Sequence, residues 1–140
     1  MLTGGCFCGA LRYEAGGEPY NATLCWCETC RRTTGAPAVA WFSVPREAFR
    51  FTGAEPTRFA SSEHGVRGFC PTCGAQLLFE DARYPDEVDV ATATLDDPDA
   101  VPPRDQTFTR SAPGWGREMT RNPAFGTSRN AACRSSENIP

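Results

Sequence analysis

Lysine is absent from this 140-residue chain, and all fourteen of its basic side chains are arginine. Histidine occurs once, at His64. Any anion the chain grips must therefore be met by planar arginine forks, by backbone N–H groups or by a metal ion. An excess of charge of one sign is missing too. Seventeen acidic groups against fourteen basic ones leave a net charge of −3, which offers no electrostatic footprint for nucleic acid or an anionic membrane. No apolar run approaches the length that spans a bilayer, and Met1-Leu2-Thr3-Gly4-Gly5-Cys6 has no apolar segment of a secretion signal. The expectation is a cytoplasmic protein without nucleic-acid or membrane partners, in a compartment where thiols stay reduced.

Cysteine, by contrast, is plentiful: there are eight. A chain of this length buries a real core as one domain and needs no covalent staples. In a reducing compartment the cysteines read as metal ligands or redox groups, not as a disulfide frame. Seven fall into three clusters, Cys6-x-Cys8, Cys25-x-Cys27-x-x-Cys30 and Cys70-x-x-Cys73, and Cys133 stands apart. In Cys70-Pro71-Thr72-Cys73-Gly74 the proline sets a turn, and the glycine admits a positive φ or close backbone approach after the second sulfur. Such a loop aims two sulfurs at one point, about 2.3 Å from each in a zinc–thiolate bond.

A structural zinc takes four protein ligands, whereas a catalytic one takes three and keeps a position open. Four plus three accounts for the seven clustered cysteines. The two pairs, Cys6/Cys8 and Cys70/Cys73, then form a four-sulfur clasp, and Cys25, Cys27 and Cys30 form a trio with a vacancy. A rival allocation makes Cys133 an eighth ligand and closes both sites. Cys27-Glu28-Thr29-Cys30 alone also matches a redox dithiol, although no βαβ frame surrounds it.

Thirteen glycines and twelve prolines favour turns over long helices. Short runs of strand character occur at 10–15, 37–44, 48–51, 57–60, 65–69, 75–80, 87–95 and 106–110, with turn residues between them. They indicate a mainly β, sandwich-like fold. Helical turns are expected only at 28–34 and 46–48. Phe42, Phe49, Phe51, Phe59, Phe69 and Phe79 sit in strand-like runs and read as core. The domain is expected to span 1–115 and a mobile tail 116–140, where no period is visible.

GGCFCGALRYEA, LCWCETCRRTTGAPAVAWFSVP and GFCPTCGAQLLFE together resemble the glutathione-dependent formaldehyde-activating enzyme family, whose domain also occurs in the centromere protein V group. The likeness runs from about residue 5 to residue 115. It implies an Mss4-like antiparallel β architecture and two Zn2+ per chain. One zinc would be structural, on Cys6, Cys8, Cys70 and Cys73, and one catalytic, on Cys25, Cys27 and Cys30. The implied reaction condenses glutathione with formaldehyde to S-hydroxymethylglutathione, a carbon–sulfur lyase chemistry, so the implied partners are a small thiol and a small aldehyde. The family often has histidine where this chain has Trp26, which reads as an apolar wall instead.

Other side chains carry weaker expectations. Arg31 and Arg32 follow the trio and would clamp a carboxylate of an acidic thiol. Arg67 would hydrogen-bond a metal-bound sulfur or face water. Glu28 is the nearest candidate for proton transfer, but decoration of the helical turn accounts for it as well. His64 reads as an exposed loop residue. An unpaired strand edge would permit a homodimer. The alternative to an enzyme is a non-catalytic binding module stabilised by two structural zincs.

Overall fold

Glu87–Ala91, read EVDVA, shows how this sequence makes its two-faced sheet. Val88 and Val90 are fully buried, while Glu87 and Asp89 point to the other side and stay partly accessible. Period-two alternation of this kind is what a strand requires when its two faces meet different surroundings. The computed structural model describes residues 1–126. Among them are ten strands: β1 Leu2–Gly5, β2 Arg12–Ala15, β3 Tyr20–Cys25, β4 Val39–Pro45, β5 Phe49–Phe51, β6 Thr57–Ala60, β7 Gly65–Phe69, β8 Gln76–Asp81, β9 Glu87–Ala91 and β10 Asp105–Thr107. One α-helix, α1 Glu28–Thr34, sits between β3 and β4.

The strands form a three-stranded sheet, β1-β2-β5, and a seven-stranded sheet, β10-β3-β4-β9-β8-β7-β6. All pairings are antiparallel except β10 with β3, which is parallel, so the larger sheet is mixed at that edge. Its inner face sends Phe42, Val44, Val88, Val90 and Leu78 into one cluster with Tyr13 and Ala15 of the smaller sheet and Leu11 just before it. Truncating Phe42 to alanine there costs about 3–5 kcal/mol. The opposite face carries a second, smaller cluster of Cys25, Cys30, Trp41 and Ala91, with Phe79 against it.

The mainly β frame matches expectation, and the turns at 28–34 and 46–48 are both present. Two strands escape the sequence pattern. β1 is LTGG, and its Gly4 packs so closely on Tyr13 that any Cβ would collide with the ring hydroxyl. β3 breaks its alternation at an irregularity between Tyr20 and Thr23, where Asn21 has φ 51°. The run expected to 95 ends at Ala91, and Thr92–Thr94 coils into a 3-10 turn. The run expected to 110 is strand only over Asp105–Thr107, because Phe108 turns left-handed at φ 54°. Phe59 is not core: it lies on the edge strand β6 and is 54% exposed. The span expected as a tail from 116 opens inside a 3-10 helix, Gly114–Arg121. There Gly116 lies buried with Trp26 so near that a Cβ would sit 2.8 Å from the indole. Cys133 lies outside the described residues.

Candidate metal centres and the cavity beside them

Two tight turns build the first sulfur cluster. Cys6–Gly9 joins β1 to β2, with the Gly9 N–H donating to the Cys6 carbonyl at 3.0 Å. Cys70–Gly74 joins β7 to β8, with the Gly74 N–H donating to the Cys70 carbonyl at 2.8 Å. Both turns end on a glycine at φ 76°, a conformation other residues adopt only with strain. The four sulfurs lie within 4.8 Å of one another. Sγ of Cys8 is 3.6 Å from that of Cys6 and 3.7 Å from that of Cys70. A zinc tetrahedron with 2.3 Å bonds has edges of ~3.8 Å, so the donor set fits that ion. The Leu11 N–H donates to Cys6 Sγ at 3.2 Å, and the Ala75 backbone draws the Cys73 thiol down to about 6. Both favour the thiolate form that a metal requires.

The second cluster comes from one stretch. β3 delivers Cys25, and its end is fixed by pairing with Val39 of β4 and Thr107 of β10. Cys27 then caps α1, its sulfur accepting from the Cys30 N–H at 3.3 Å. Three residues on, Cys30 returns to the same helix face. The three sulfurs lie within 4.8 Å of one another. Arg67, only 5% exposed, serves this cluster. Its Nη2 donates to Cys30 Sγ at 3.5 Å and its Nε to Ser61 Oγ at 3.1 Å. Its guanidinium carbon stands 4.8 Å from the Phe79 ring centroid and 5.9 Å from that of Trp41. Its Nη1 is buried and has no hydrogen-bond partner among the described residues. A hydrogen bond from Cys25, helped by the charge of Arg67, draws Cys30 down to about 5, while Cys25 is pushed up in return.

The trio opens on a cavity of about 470 Å³. Its floor is the outer face of the larger sheet. A single row of paired residues, Ser43, Asp89, Phe79 and Arg67, crosses β4, β9, β8 and β7. Burial pushes Asp89 up to about 6, although the Ser43 hydroxyl donates to its Oδ1 at 2.6 Å. Asp81 behaves oppositely: Arg83 grips it with Nε at 2.9 Å and Nη2 at 2.6 Å and holds it down at about 2.

Of the residues singled out from the sequence, the structure gathers both cysteine sets and adds Arg67 to the trio. Trp26 faces the other way, donating its indole N–H to Gln106 Oε1 at 2.8 Å, and does not line the cavity. Arg31 and Arg32 do not line it either. Arg32 pairs with Glu28 at 2.8 Å on the exposed side of α1, whereas the buried Nε of Arg31 has no partner among the described residues. His64 is a half-exposed loop residue. Asp89 and Ser43 were not singled out. The signal was present in EVDVA, where an acid alternates with buried valines in what proves to be a central strand.

A mixed β frame that gathers seven thiols into a closed set of four and an open set of three defines a class, the two-centre cysteine proteins suited to thiophilic metals. Sequence comparison narrows the class to one family. Residues 1–111 match the family described as glutathione-dependent formaldehyde-activating enzyme, and the chain belongs to it. A Halomonas elongata protein that carries that enzyme's name provisionally is 31% identical over 124 residues, covering 82% of this chain and 79% of its own. An uncharacterized lyase of Schizosaccharomyces pombe is 34% identical over 76 residues, 54% of this chain and 55% of its own length. A crystal structure of a Rhodobacter sphaeroides protein superposes with a TM-score of 0.58 at 29% identity, covering 75% of this chain and 99% of that one.

Proposed function

We propose that the chain is a zinc-dependent enzyme of the carbon–sulfur lyase class that condenses a glutathione-like thiol with a small aldehyde beside Cys25, Cys27 and Cys30. One observation carries this reading: the trio offers three sulfurs and faces a cavity, where the clasp of Cys6, Cys8, Cys70 and Cys73 offers four. Three protein ligands with an open side mark catalytic zinc, and four mark structural zinc. The names of the Halomonas and Schizosaccharomyces relatives, one a formaldehyde-activating enzyme and one a lyase, support the same chemistry.

Held by the trio, zinc would supply a Lewis-acid position at which a thiol, with an ordinary pKa of roughly 8.5, ionises at neutral pH. The chain's own groups do the rest. Three thiolates around a divalent ion leave a charge of −1, and the buried Arg67 offsets it. That lowers the repulsion an anionic thiol would meet. Trp41 and Phe79 line the cavity with apolar surface, which strengthens these charge interactions by displacing water. Of the two arginines expected to clamp a carboxylate, neither lines the cavity: the Arg31 Nε is buried, and Arg32 is held by Glu28. Seven free thiols among the described residues suit a reducing cytoplasm.

Exchange NMR of glutathione and formaldehyde tests the reading by measuring turnover above the spontaneous reaction. Zinc-loaded chain is expected to accelerate exchange and Cys27→Ser to abolish the acceleration. No acceleration by the zinc-loaded wild type would leave only a zinc-stabilised binding module. A Cys133→Ser chain is expected to keep two zincs; loss of one would mean that the trio is closed.

A further inference from the structure

Carboxylates are disfavoured inside proteins unless a cation meets them. Asp89 is largely enclosed on β9, lines the cavity, and among the described residues has no arginine on it. Among the described residues the cations lining that cavity are Arg67, engaged by Cys30 and Ser61, and Arg83, engaged by Asp81. The other charges that bear on Asp89 are negative: Glu87 on its own strand, Asp81 on β8 and the Cys30 sulfur on α1. Glu87 is already occupied, accepting from the Tyr20 hydroxyl at 2.9 Å.

The side-chain hydrogen bond found at Asp89 among the described residues assigns its oxygens. Asn21 Nδ2 donates to Ser43 Oγ at 3.4 Å, and Ser43 donates to Asp89 Oδ1 at 2.6 Å. Oδ1 is thereby an acceptor, which leaves Oδ2 as the atom able to hold a proton. We propose that Asp89, oriented by the Asn21–Ser43 relay, is the proton carrier of the cavity, taking the proton of an entering thiol and giving it to the aldehyde oxygen. This rests on the thiol–aldehyde reading above and adds the catalytic acid–base group that it lacks.

The step balances without an outside reactant. Oδ2 of the ionised carboxylate removes the S–H proton. The sulfur electron pair forms the new C–S bond as the π pair of the C=O bond moves onto oxygen. Oδ2 then returns its proton to that oxygen, giving an O–H group and restoring the carboxylate. Cleavage of the adduct uses the same two transfers in reverse. A carboxyl raised to about 6 by burial accepts and returns a proton near neutrality more readily than one in the ordinary range.

Asp89→Asn keeps the shape and an acceptor for Ser43 but carries no proton. In the zinc-loaded chain its kcat for adduct exchange should fall by about 10²–10⁴-fold. Its zinc content and glutathione KM should stay near wild type, and the rise of rate with pH near 6 should disappear. A readout independent of turnover is infrared titration of the protein: a carboxyl band titrating near pH 6 should be present in wild type and absent from Asp89→Asn. Ser43→Ala should move the kinetic rise to higher pH, because the hydrogen bond it removes holds the carboxyl down. An Asp89→Asn chain with wild-type kcat and an unaltered pH profile removes this role alone, as does a wild-type spectrum without the band. A wild type that accelerates no thiol–aldehyde exchange overturns the underlying reading and this role together.

Discussion

The two sulfur clusters use the same ligand and differ in where the chain brings it from. The clasp draws Cys6 and Cys8 from the turn between β1 and β2, and Cys70 and Cys73 from the turn between β7 and β8. Its ion would therefore join the smaller sheet to the larger. The trio comes from one strand end and the helix beside it. Removing an ion held by the clasp would disconnect distant parts of the chain, and removing one held by the trio would disturb a single turn. Ligands that close a long loop stabilise a fold; ligands from a short loop on a cavity wall leave the ion free for chemistry.

The largest expected effect breaks that contrast at its centre. Structural zinc contributes on the order of 10 kcal/mol to folding, comparable to a whole domain's stability. Cys70→Ser should therefore abolish a cooperative melt in circular dichroism, whereas Cys27→Ser should melt cooperatively while losing zinc and turnover. Two variants with equal melts would show that the clusters share one role.

Asp89→Asn comes next. The folded-state value of about 6 lies above the ordinary ~3.9 of an unfolded chain, so the native state binds the proton more tightly. Stability is lost as pH rises from about 4 to about 6, by roughly 2–3 kcal/mol in all. The neutral asparagine escapes that loss. It should melt higher than wild type at pH 7.5 and equally at pH 4, so the cavity side gains stability as it loses turnover. A third comparison is Arg67→Met, which removes the hydrogen bond to Cys30. Zinc affinity of the trio should fall about 10–100-fold while the clasp keeps its ion, measured by competition with a chelator. Smallest is the arginine pair. Neither Arg31→Ala nor Arg32→Ala should change glutathione binding by more than about twofold in calorimetry, since neither lines the cavity and Arg32 is held by Glu28; a roughly tenfold loss in either would restore the carboxylate clamp.

How much of this was legible depends on which forces act locally. Cysteine spacing announces both clusters, because a sulfur pair two or three residues apart can meet one ion whatever the rest of the fold does. Strands with clean alternation, such as Glu87–Ala91, are equally plain. β1 and β3 are not, since glycine has no side chain to pattern and an irregular pairing interrupts the period. The pairing order of seven strands is set by contacts far apart in sequence, and so is everything that depends on it. Arg67 beside Cys30, Asp89 beside Ser43, and Trp26 turned toward Gln106 and Gly116 belong to this class. Arg31 and Arg32 looked favourable because they adjoin Cys30, yet a helix turns its successive residues to different sides.

The row Ser43, Asp89, Phe79 and Arg67 belongs to a sheet whose reverse side is the hydrophobic core. Sliding β9 by one residue would exchange Val88 and Val90 for Glu87 and Asp89 on both surfaces at once, and a slip of β4 would likewise swap Ser43 with Phe42 or Val44. The reactive floor is thus locked to the foldedness of the whole domain and has little room to drift. On the proposed thiol–aldehyde reading, changes in which substrate is accepted would arise at the loop-borne edges, at Ser61, Ser62 and Phe108, where substitution leaves the ladder intact.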